Sequence, residues 1–264
     1  METKSRNGKR AVITGASSGI GLELCRLFAA GGYDLIITAR RAEQLNRLAE
    51  DLRSKHGVPV KIILKDLGQP NAAEELWAEI RKEGEVDVLV NNAGIGAAGP
   101  FAEADPVTIA TMLQVNVVAL TALTRLAVPD MLARGHGHIV NVASLAGLQP
   151  GGPGMAVYYA TKSYVVSFSR ALARELRGSG VSLTTLCPGS THTEFEEKAG
   201  ADKLRLFRWL PVMDASAVAR AGYLGMKQGR TVVIPGLINK LLGLGGELPP
   251  RRIALEINRV LLAG

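Results

Sequence analysis

The sequence is poor in the residues that build metal centres and disulfide-stabilised folds. Its 264 residues include only two cysteines, Cys25 and Cys187, and four histidines scattered along the chain. A metal site needs more ligands, closer together, than these provide. Both cysteines stand among apolar residues, so we expect buried free thiols in a reducing compartment, and hence a cytoplasmic protein without a bound metal.

Signals for nucleic-acid binding, secretion and membrane insertion are also lacking. The net charge of +7 would suit an anionic partner, but the basic residues are spread out and aromatic residues make up only 5%. Residues 1–10 are basic with no apolar stretch behind them, so we expect no signal peptide. No window approaches the ~20 apolar residues of a membrane span. We therefore expect neither a nucleic-acid partner nor a spanning helix.

Glycine, by contrast, is plentiful, with 30 residues, and one cluster lies near the N-terminus. Residues 9–14 are predicted to be a buried strand, residues 15–21 (GASSGIG) a turn, and residues 22–30 a helix. This order is typical of a nucleotide-binding loop, because glycine lets the backbone approach a pyrophosphate and the helix N-terminus supplies free N–H groups. The turn also fits the G-x-S-x-G pattern of serine hydrolases, with Ser17 as nucleophile, but nothing upstream could supply an oxyanion loop.

The rest of the chain alternates short apolar strands with helices, which predicts a parallel sheet covered on both faces. We expect one domain over residues 1–264, with a core at 8–235, a substrate lid at 190–213 and a C-terminal extension at 236–264. Further strands are predicted at residues 33–39, 60–65, 86–90, 138–142, 181–187 and 231–234. Further helices are predicted at 42–55, 74–82, 106–132 and 156–177, followed by a helix that Asp214 caps and that ends at Met226.

The ends of the second and third strands carry candidate cofactor contacts. Arg40 and Arg41 follow the second strand, and positions 38–41 contain no acidic residue. In a dinucleotide fold an arginine here accommodates the 2′-phosphate of NADP, so NADP(H) is favoured over NAD(H). The alternative is that both arginines cap a solvated turn. After the third strand, Asp66 could accept a hydrogen bond from an adenine amino group or cap the next turn.

Tyr158 and Lys162 are four residues apart on a predicted helix and therefore share a face. The ammonium would stabilise the phenolate and lower the tyrosine pKa from about 10, giving a proton donor and acceptor near neutral pH. Alone, the pair could equally be an interfacial tyrosine and a solvated lysine. Asn116 lies among valines in the predicted helix 106–132, so it must be hydrogen-bonded, either structurally or for function.

Together these motifs resemble those of the classical short-chain dehydrogenases/reductases. They occur in the family's order: T-G-x-x-x-G-x-G at 14–21, N-N-A-G at 91–94, then Asn116, Ser144, Y-x-x-x-K at 158–162 and P-G at 188–189. The resemblance covers residues 8–235. It implies a single doubly wound, Rossmann-like α/β domain with a seven-stranded parallel sheet flanked by helices. It also implies an oxidoreductase that reduces a carbonyl group or oxidises a secondary alcohol.

The resemblance further implies a role for each matching residue. Tyr158 would be the general acid or base, Lys162 would lower its pKa and bond the nicotinamide ribose, and Ser144 would hold the substrate oxygen. Asn116 would anchor a water molecule in a proton relay. Besides Tyr158 and Lys162, the implied cofactor contacts are Gly15, Ser17, Ser18, Ile20, Arg40, Arg41, Asp66, Leu67, Asn92, Ala93, Gly94, Pro188, Gly189, Thr191 and Thr193.

The lid and the tail leave the substrate and the partners open. The tail has Leu-Leu and Arg-Arg groups that resemble a basic, amphipathic end found in a subgroup of the family. Packing on its own domain, contact with another subunit and peripheral contact with a membrane are all compatible with it. The family implies a homodimer or homotetramer, and the alternative function is a dinucleotide-binding regulator without chemistry. An apolar substrate is favoured by the lid residues Phe195, Leu204, Leu206, Phe207, Trp209 and Leu210.

Overall fold

A computed structural model describes residues 8–195, 199–201, 204–205, 210–248 and 250–262. Its strands are β1 Arg10–Thr14, β2 Asp34–Ala39, β3 Val60–Leu64, β4 Val88–Asn91, β5 Gly137–Val142, β6 Val181–Leu186, β7 Thr191–His192, β8 Met213–Asp214 and β9 Val232–Val233. Seven of them form one parallel sheet in the order β3-β2-β1-β4-β5-β6-β9, and β7 pairs with β8 separately. The predicted seven-stranded parallel sheet is confirmed.

Helices cover both faces of this sheet. Within the described residues they are α1 Gly19–Ala30, α2 Ala42–His56, α3 Ala72–Lys82, α4 Pro106–Leu113, α5 Leu120–Arg134, α6 Ala156–Glu175, α7 Ala215–Lys227, α8 Leu237–Glu247 and α9 Arg251–Leu261. A π-helical turn, Gln114–Ala119, joins α4 to α5, and short 3-10 turns lie at Phe101–Glu103 and Leu145–Leu148.

The central strand β1 shows why the sheet is buried on both sides. Ala11 and Ile13 face the core that α1, α2 and α7 complete, whereas Val12 faces the core of α3, α5 and α6. Successive side chains of a strand point to opposite faces, so a strand covered on both sides has to be apolar throughout. The strands predicted from the sequence are apolar runs of this kind.

Two expectations are wrong: that no stretch of the chain is apolar enough to span a membrane, and that Asp214 caps the helix that follows it. The stretch Pro106–Arg134 is 29 residues of helix, and by length and composition it could span a membrane. One of its faces nevertheless packs on the sheet, where Leu123, Ala127 and Met131 are buried with β4 and β5. In addition, Asp214 stands at the N-cap position of α7 but makes no capping hydrogen bond with its side chain.

The inner faces of the two tail helices pack on their own domain. A Cβ atom at Gly246 of α8 would lie 2.4 Å from the carbonyl oxygen of Leu148, so the helix backbone sits directly on the 3-10 turn. The side-chain amide of Gln149 donates to the carbonyl of Leu242 at 2.8 Å. Asn258 of α9 donates to the carbonyl of Gly151 at 2.6 Å. The tail therefore forms a wall beside the loop that follows β5.

Candidate active site

One large cavity, of about 860 Å³, opens at the carboxyl ends of the strands. Ligands of open α/β sheets bind at this edge. Every site residue that the sequence indicated lines it except Asn116, which is buried behind the wall. No histidine among the described residues lines it, so Ser17 has no nearby base for a hydrolase reaction.

The glycine turn is shaped for close approach of a ligand to the backbone. Gly15 has φ of 65°, in the left-handed region, and a Cβ there would lie 2.8 Å from the Cα of Ala93. The amide of Asn92 donates to the carbonyls of Thr14 and Gly15 and so fixes the turn. Ser18, at the N-cap position of α1, makes no capping bond, which leaves N–H groups for an anion. These features fit the pyrophosphate of a dinucleotide.

Arg41 and Arg40 differ in their surroundings. The guanidinium of Arg41 donates to the hydroxyls of Ser17 at 3.0 Å and Ser18 at 2.9 Å. It also pairs with Glu194 at 2.7 Å, a contact across the cavity that the sequence did not indicate. Arg40 also lines the cavity but is exposed. Arg41 therefore presents the more firmly held guanidinium beside the glycine turn.

Asp66 caps the turn after β3, as one of its two predicted roles requires. Its position in the cavity wall is also compatible with the other role, a hydrogen bond from an adenine amino group. Its Oδ1 accepts a hydrogen bond from the backbone N–H of Gly68 at 3.0 Å, which caps the turn after β3. Asp66 and Leu67 nevertheless both line the cavity. Nearby, the ammonium of Lys65 pairs with Glu75 at 3.1 Å and Glu79 at 3.3 Å, so its charge is already compensated.

Ser144, Tyr158 and Lys162 meet at the centre of the cavity wall. A Cβ at Gly147 would lie 2.4 Å from the carbonyl oxygen of Lys162, so the turn that follows Ser144 packs tightly on α6. The Ser144 hydroxyl is close enough to the Tyr158 phenol to lower its pKa by hydrogen bonding. The Lys162 ammonium lies 5.8 Å from the centre of the Tyr158 ring and donates to the carbonyl of Val142 at 3.0 Å.

Burial determines the protonation states of Tyr158 and Lys162, and it contradicts the expected direction of the Tyr158 pKa shift. It raises the pKa of Tyr158 to about 12, and the hydrogen bond from Ser144 offsets only part of that rise. Burial also lowers the pKa of Lys162 to about 8, because the ammonium loses its hydration. The expected lowering of the Tyr158 pKa is therefore wrong. The phenol is protonated at neutral pH and can donate.

Asn116 lies in the π-helical turn and is fully hydrogen-bonded. Its Oδ1 accepts from the N–H of Ile95 at 2.9 Å, and its amide donates to the carbonyl of Ile95 at 2.8 Å. The same amide donates to Thr161 at 3.1 Å, and the Thr161 hydroxyl donates to the carbonyl of Tyr158. Asn116 thus ties the loop after β4 to the turn of α6 that holds Tyr158, while its relay role stays a prediction.

The segment after β6 closes the far end of the cavity. Pro188 and Gly189 line it, and a Cβ at Gly189 would lie 2.4 Å from the side chain of Asn239 in α8. Thr191 donates to the carbonyl of Gly189 at 2.9 Å, and the Thr193 methyl group lies against Gly19. The buried hydroxyl of Ser190 has no partner within the described residues. Such an orphan polar group suits a ligand amide at the nicotinamide end.

The wall beyond Tyr158 is apolar. The Phe195 ring lies 5.4 Å from the Tyr158 ring, and Leu210 lines the same space. Leu204 is buried in the adjoining cluster, whereas Leu206, Phe207 and Trp209 lie outside the described residues. No lysine or arginine described in this part of the wall faces the space. The tail contributes Leu241, Leu248, Ile253 and Ile257, which sequence reasoning did not place here.

Comparison with known proteins identifies the family of this chain. The family model described as short chain dehydrogenase matches residues 9–204. The chain is 38% identical over 215 residues to a sulfoacetaldehyde reductase of Chromohalobacter salexigens, which covers 78% of this chain and 83% of that protein. A short-chain dehydrogenase from Sphingobium yanoikuyae in complex with NADPH has a TM-score of 0.82 at 33% identity, covering 90% and 92% of the two chains. One from Burkholderia phymatum in complex with NAD has a TM-score of 0.82 at 28% identity, covering 100% and 99%.

Proposed function

Since the chain belongs to the short-chain dehydrogenase family, we propose that it is an NADP(H)-dependent oxidoreductase that reduces the carbonyl group of an apolar ketone or oxidises the corresponding secondary alcohol. The observation that supports this most directly is the meeting of Ser144, Tyr158 and Lys162 between a glycine turn and an apolar wall. Members that bind NADPH and members that bind NAD both occur among the similar structures.

The side chains divide the chemistry between them. A bound nicotinamide cofactor supplies or accepts the hydride. The hydroxyls of Ser144 and Tyr158 hold the carbonyl oxygen, and Tyr158, protonated because it is buried, donates the proton to that oxygen. Lys162, when charged, stabilises the phenolate that remains, and it would hold the ribose of the nicotinamide cofactor. The side chain of Asn116 is occupied by Ile95 and Thr161, so Asn116 would anchor the water that returns a proton from solvent through its backbone.

The cofactor preference rests on the cation beside the glycine turn. Arg41, held by Ser17 and Ser18 and paired with Glu194, would contact a 2′-phosphate beside the glycine turn, and Arg40 adds a second charge. No acidic residue at positions 38–41 could instead bond the 2′-hydroxyl of NAD. NADP(H) is therefore the preferred cofactor.

The substrate class follows from the wall beyond Tyr158. Sulfoacetaldehyde, the substrate in the name of the relative described above, carries a sulfonate that would need a cationic partner. Leucine, isoleucine, methionine and phenylalanine side chains line the wall beyond Tyr158 in this chain. Burying an anion or a polyol there would leave its polar groups unpaired, whereas a bulky apolar ketone would not. The substrate is accordingly apolar.

The decisive experiment separates an enzyme from a binding protein. Tyr158→Phe should abolish ketone reduction, by at least about a hundredfold, because the proton donor is lost. NADPH should still raise the melting temperature of this variant, since the nucleotide site is intact. Tyr223→Phe, on the half-buried tyrosine of α7, is the matched control and should retain turnover. Unchanged turnover by Tyr158→Phe would contradict the assignment of Tyr158 as proton donor, whereas wild-type protein that binds NADPH but reduces no ketone would support the dinucleotide-binding regulator.

A further inference from the structure

The outer face of α8 is a continuous stripe of exposed leucines. Leu237, Leu241, Leu244 and Leu248 follow one another at helical spacing of four, three and four residues, and 72%, 63%, 56% and 53% of their surfaces are exposed. The opposite face, with Asn239, Gly243 and Gly246, is the one that packs on the domain. The stripe is therefore not an unfilled part of the protein core, because the opposite face of α8 already packs on the domain.

The apolar side of α9 continues this stripe around the mouth of the cavity. Ile253, Ile257 and Val260 share one face of α9 and are exposed. Leu241, Leu248, Ile253 and Ile257 also line the cavity. We call the set Leu237, Leu241, Leu244, Leu248, Ile253, Ile257 and Val260 the mouth patch.

Exposure of this kind is concentrated in the tail. Nine of the 17 large apolar side chains that are exposed among the described residues lie between positions 237 and 260. Soluble monomers rarely expose contiguous apolar surface on this scale unless something binds it. Exposed apolar residues that could serve subunit contact, such as Val118 and Tyr164, belong to other helices, which leaves the mouth patch for a different occupant.

The charges around the mouth patch favour an anionic occupant. Lys240, Arg251 and Arg252 border it, and none has an ion pair within the part of the chain that the structure describes. The acidic neighbours are already compensated, Glu247 by Arg170 and Glu256 by Arg259. Two copies of this face would bring their surplus positive charges together, whereas anionic headgroups would complement them.

We propose that α8 and α9 dock the protein on a membrane surface that contains anionic phospholipids. The mouth patch lies in the interfacial region, and the three cations contact headgroups, as in amphipathic helices that bind membranes in the plane of the interface. The cavity then opens toward the acyl chains, so that an apolar substrate reaches Tyr158 from the lipid. Only this last step rests on the proposed function, because docking itself needs no turnover.

Vesicle flotation of the purified full chain tests the docking. The vesicles contain phosphatidylcholine alone or mixed with phosphatidylglycerol, at low and high salt. Wild-type protein should float with the mixed vesicles, and less with pure phosphatidylcholine or at high salt, because screening weakens the attraction of the arginines. The double variant Leu237→Gln/Leu244→Gln should need roughly tenfold more lipid for half-maximal binding, since two leucines no longer enter the interface.

Matched variants separate docking from folding and from catalysis. Leu224→Gln changes an exposed leucine of α7 and should bind vesicles as wild type does. Arg251→Gln/Arg252→Gln should lose the dependence on phosphatidylglycerol. Neither Leu237 nor Leu244 lines the cavity, so their double variant should still reduce a water-soluble ketone with NADPH. A failure of the proposed function would appear as absent turnover in wild type, whatever the vesicles show.

Two results would overturn the proposal. One is that wild-type protein does not float with the mixed vesicles, or that Leu237→Gln/Leu244→Gln floats as well as wild type. The other is that, without lipid, sedimentation velocity finds an oligomer for wild type and Leu224→Gln but not for the double variant. The mouth patch would then be a contact between copies of the chain.

Discussion

At the scale of single residues, burial moves the pKa of Tyr158 and that of Lys162 in opposite directions. The phenol is held neutral, with its pKa raised to about 12, while the ammonium is close to neutralisation, with its pKa lowered to about 8. Both shifts penalise the charged form of a group that has lost its water. Tyr158 therefore keeps its proton at neutral pH, and the charge on Lys162 destabilises the fold.

Replacing Lys162 should consequently stabilise the protein. The folded pKa of about 8 lies below the ordinary value of 10.5, so between the two the unfolded chain binds more protons and stability rises with pH. Lys162→Met, which lacks the buried charge, should be more stable than wild type at pH 7 by about 1–3 kcal/mol. That advantage should shrink between pH 8 and 10.5, and urea unfolding across this range measures it.

The difference between variant and wild type is the quantity to follow, because other buried groups also titrate. Burial raises the pKa of the Cys25 and Cys187 thiols, and their contribution to stability falls as pH rises through the unfolded value. Lys82→Met, at an exposed lysine of α3, is the control and should leave the unfolding free energy at pH 7 close to that of wild type. A variant less stable than wild type at pH 7 would contradict the argument.

Alanine substitutions of Arg41 and Arg40 can be compared to test which arginine determines the cofactor preference. Arg41→Ala should raise the KM for NADPH roughly ten- to a hundredfold, the loss expected for a charge-assisted hydrogen bond, and change the KM for NADH little. Arg40→Ala should have the smaller effect, because Arg40 is exposed and lacks the contacts to Ser17 and Ser18. Steady-state kinetics with both cofactors measures this. Equal changes for NADPH and NADH would show that neither arginine reads the 2′-phosphate.

At the scale of elements, the shape of the glycine turn depends on close packing between the loop after β1 and the loop after β4. A Cβ at Gly21 would lie 2.4 Å from both the Asn92 amide and the carbonyl oxygen of Gly15. Asn92 cannot yield without giving up its hydrogen bonds to the turn. The loop after β4 and the loop after β1 are therefore one unit.

Gly21→Ala should accordingly damage the nucleotide site more than the fold. We expect a loss of about 1–3 kcal/mol in unfolding free energy and no rise in melting temperature with NADPH. Gly57→Ala is the control, since Gly57 has φ of 64° but open space around it. That change should cost about 1 kcal/mol through backbone strain and leave the NADPH response intact. An intact response in Gly21→Ala would show that the turn can relax.

Some helices, strands and contacts could be predicted from the sequence, and others could not. The strands and the Tyr158 helix have strong apolar patterns, and their predicted bounds agree with the structure within two residues. The π-helical turn around Asn116 and the contact of Glu194 with Arg41 depend on packing between distant segments, which no local pattern contains. The contribution of α9 to the cavity wall was missed for the same reason.

At the scale of the whole molecule, the outer faces of α5 and α6 form the surface on which we expect subunits to pair. The Thr121 hydroxyl lies 3.1 Å from that of Tyr164, and Tyr164 stacks on Phe168, so the two helices present one joined face. Leu132 extends it and is exposed in the single chain. Apolar side chains on such a face gain stability only when a second copy covers them.

Leu132→Arg should therefore weaken the oligomer without unfolding the subunit. A buried, unpaired charge at a subunit contact is costly, so light scattering after size exclusion should show a smaller species at a concentration where wild type is a dimer or tetramer. Leu224→Arg, on an equally exposed leucine of α7, should leave the mass unchanged. If wild type is a monomer, or if Leu132→Arg keeps the full mass, subunits do not pair through this face. Because Asn116 lies in the same helical run and ties it to the turn that holds Tyr158, covering this face would also rigidify the active site, and the smaller species should turn over more slowly.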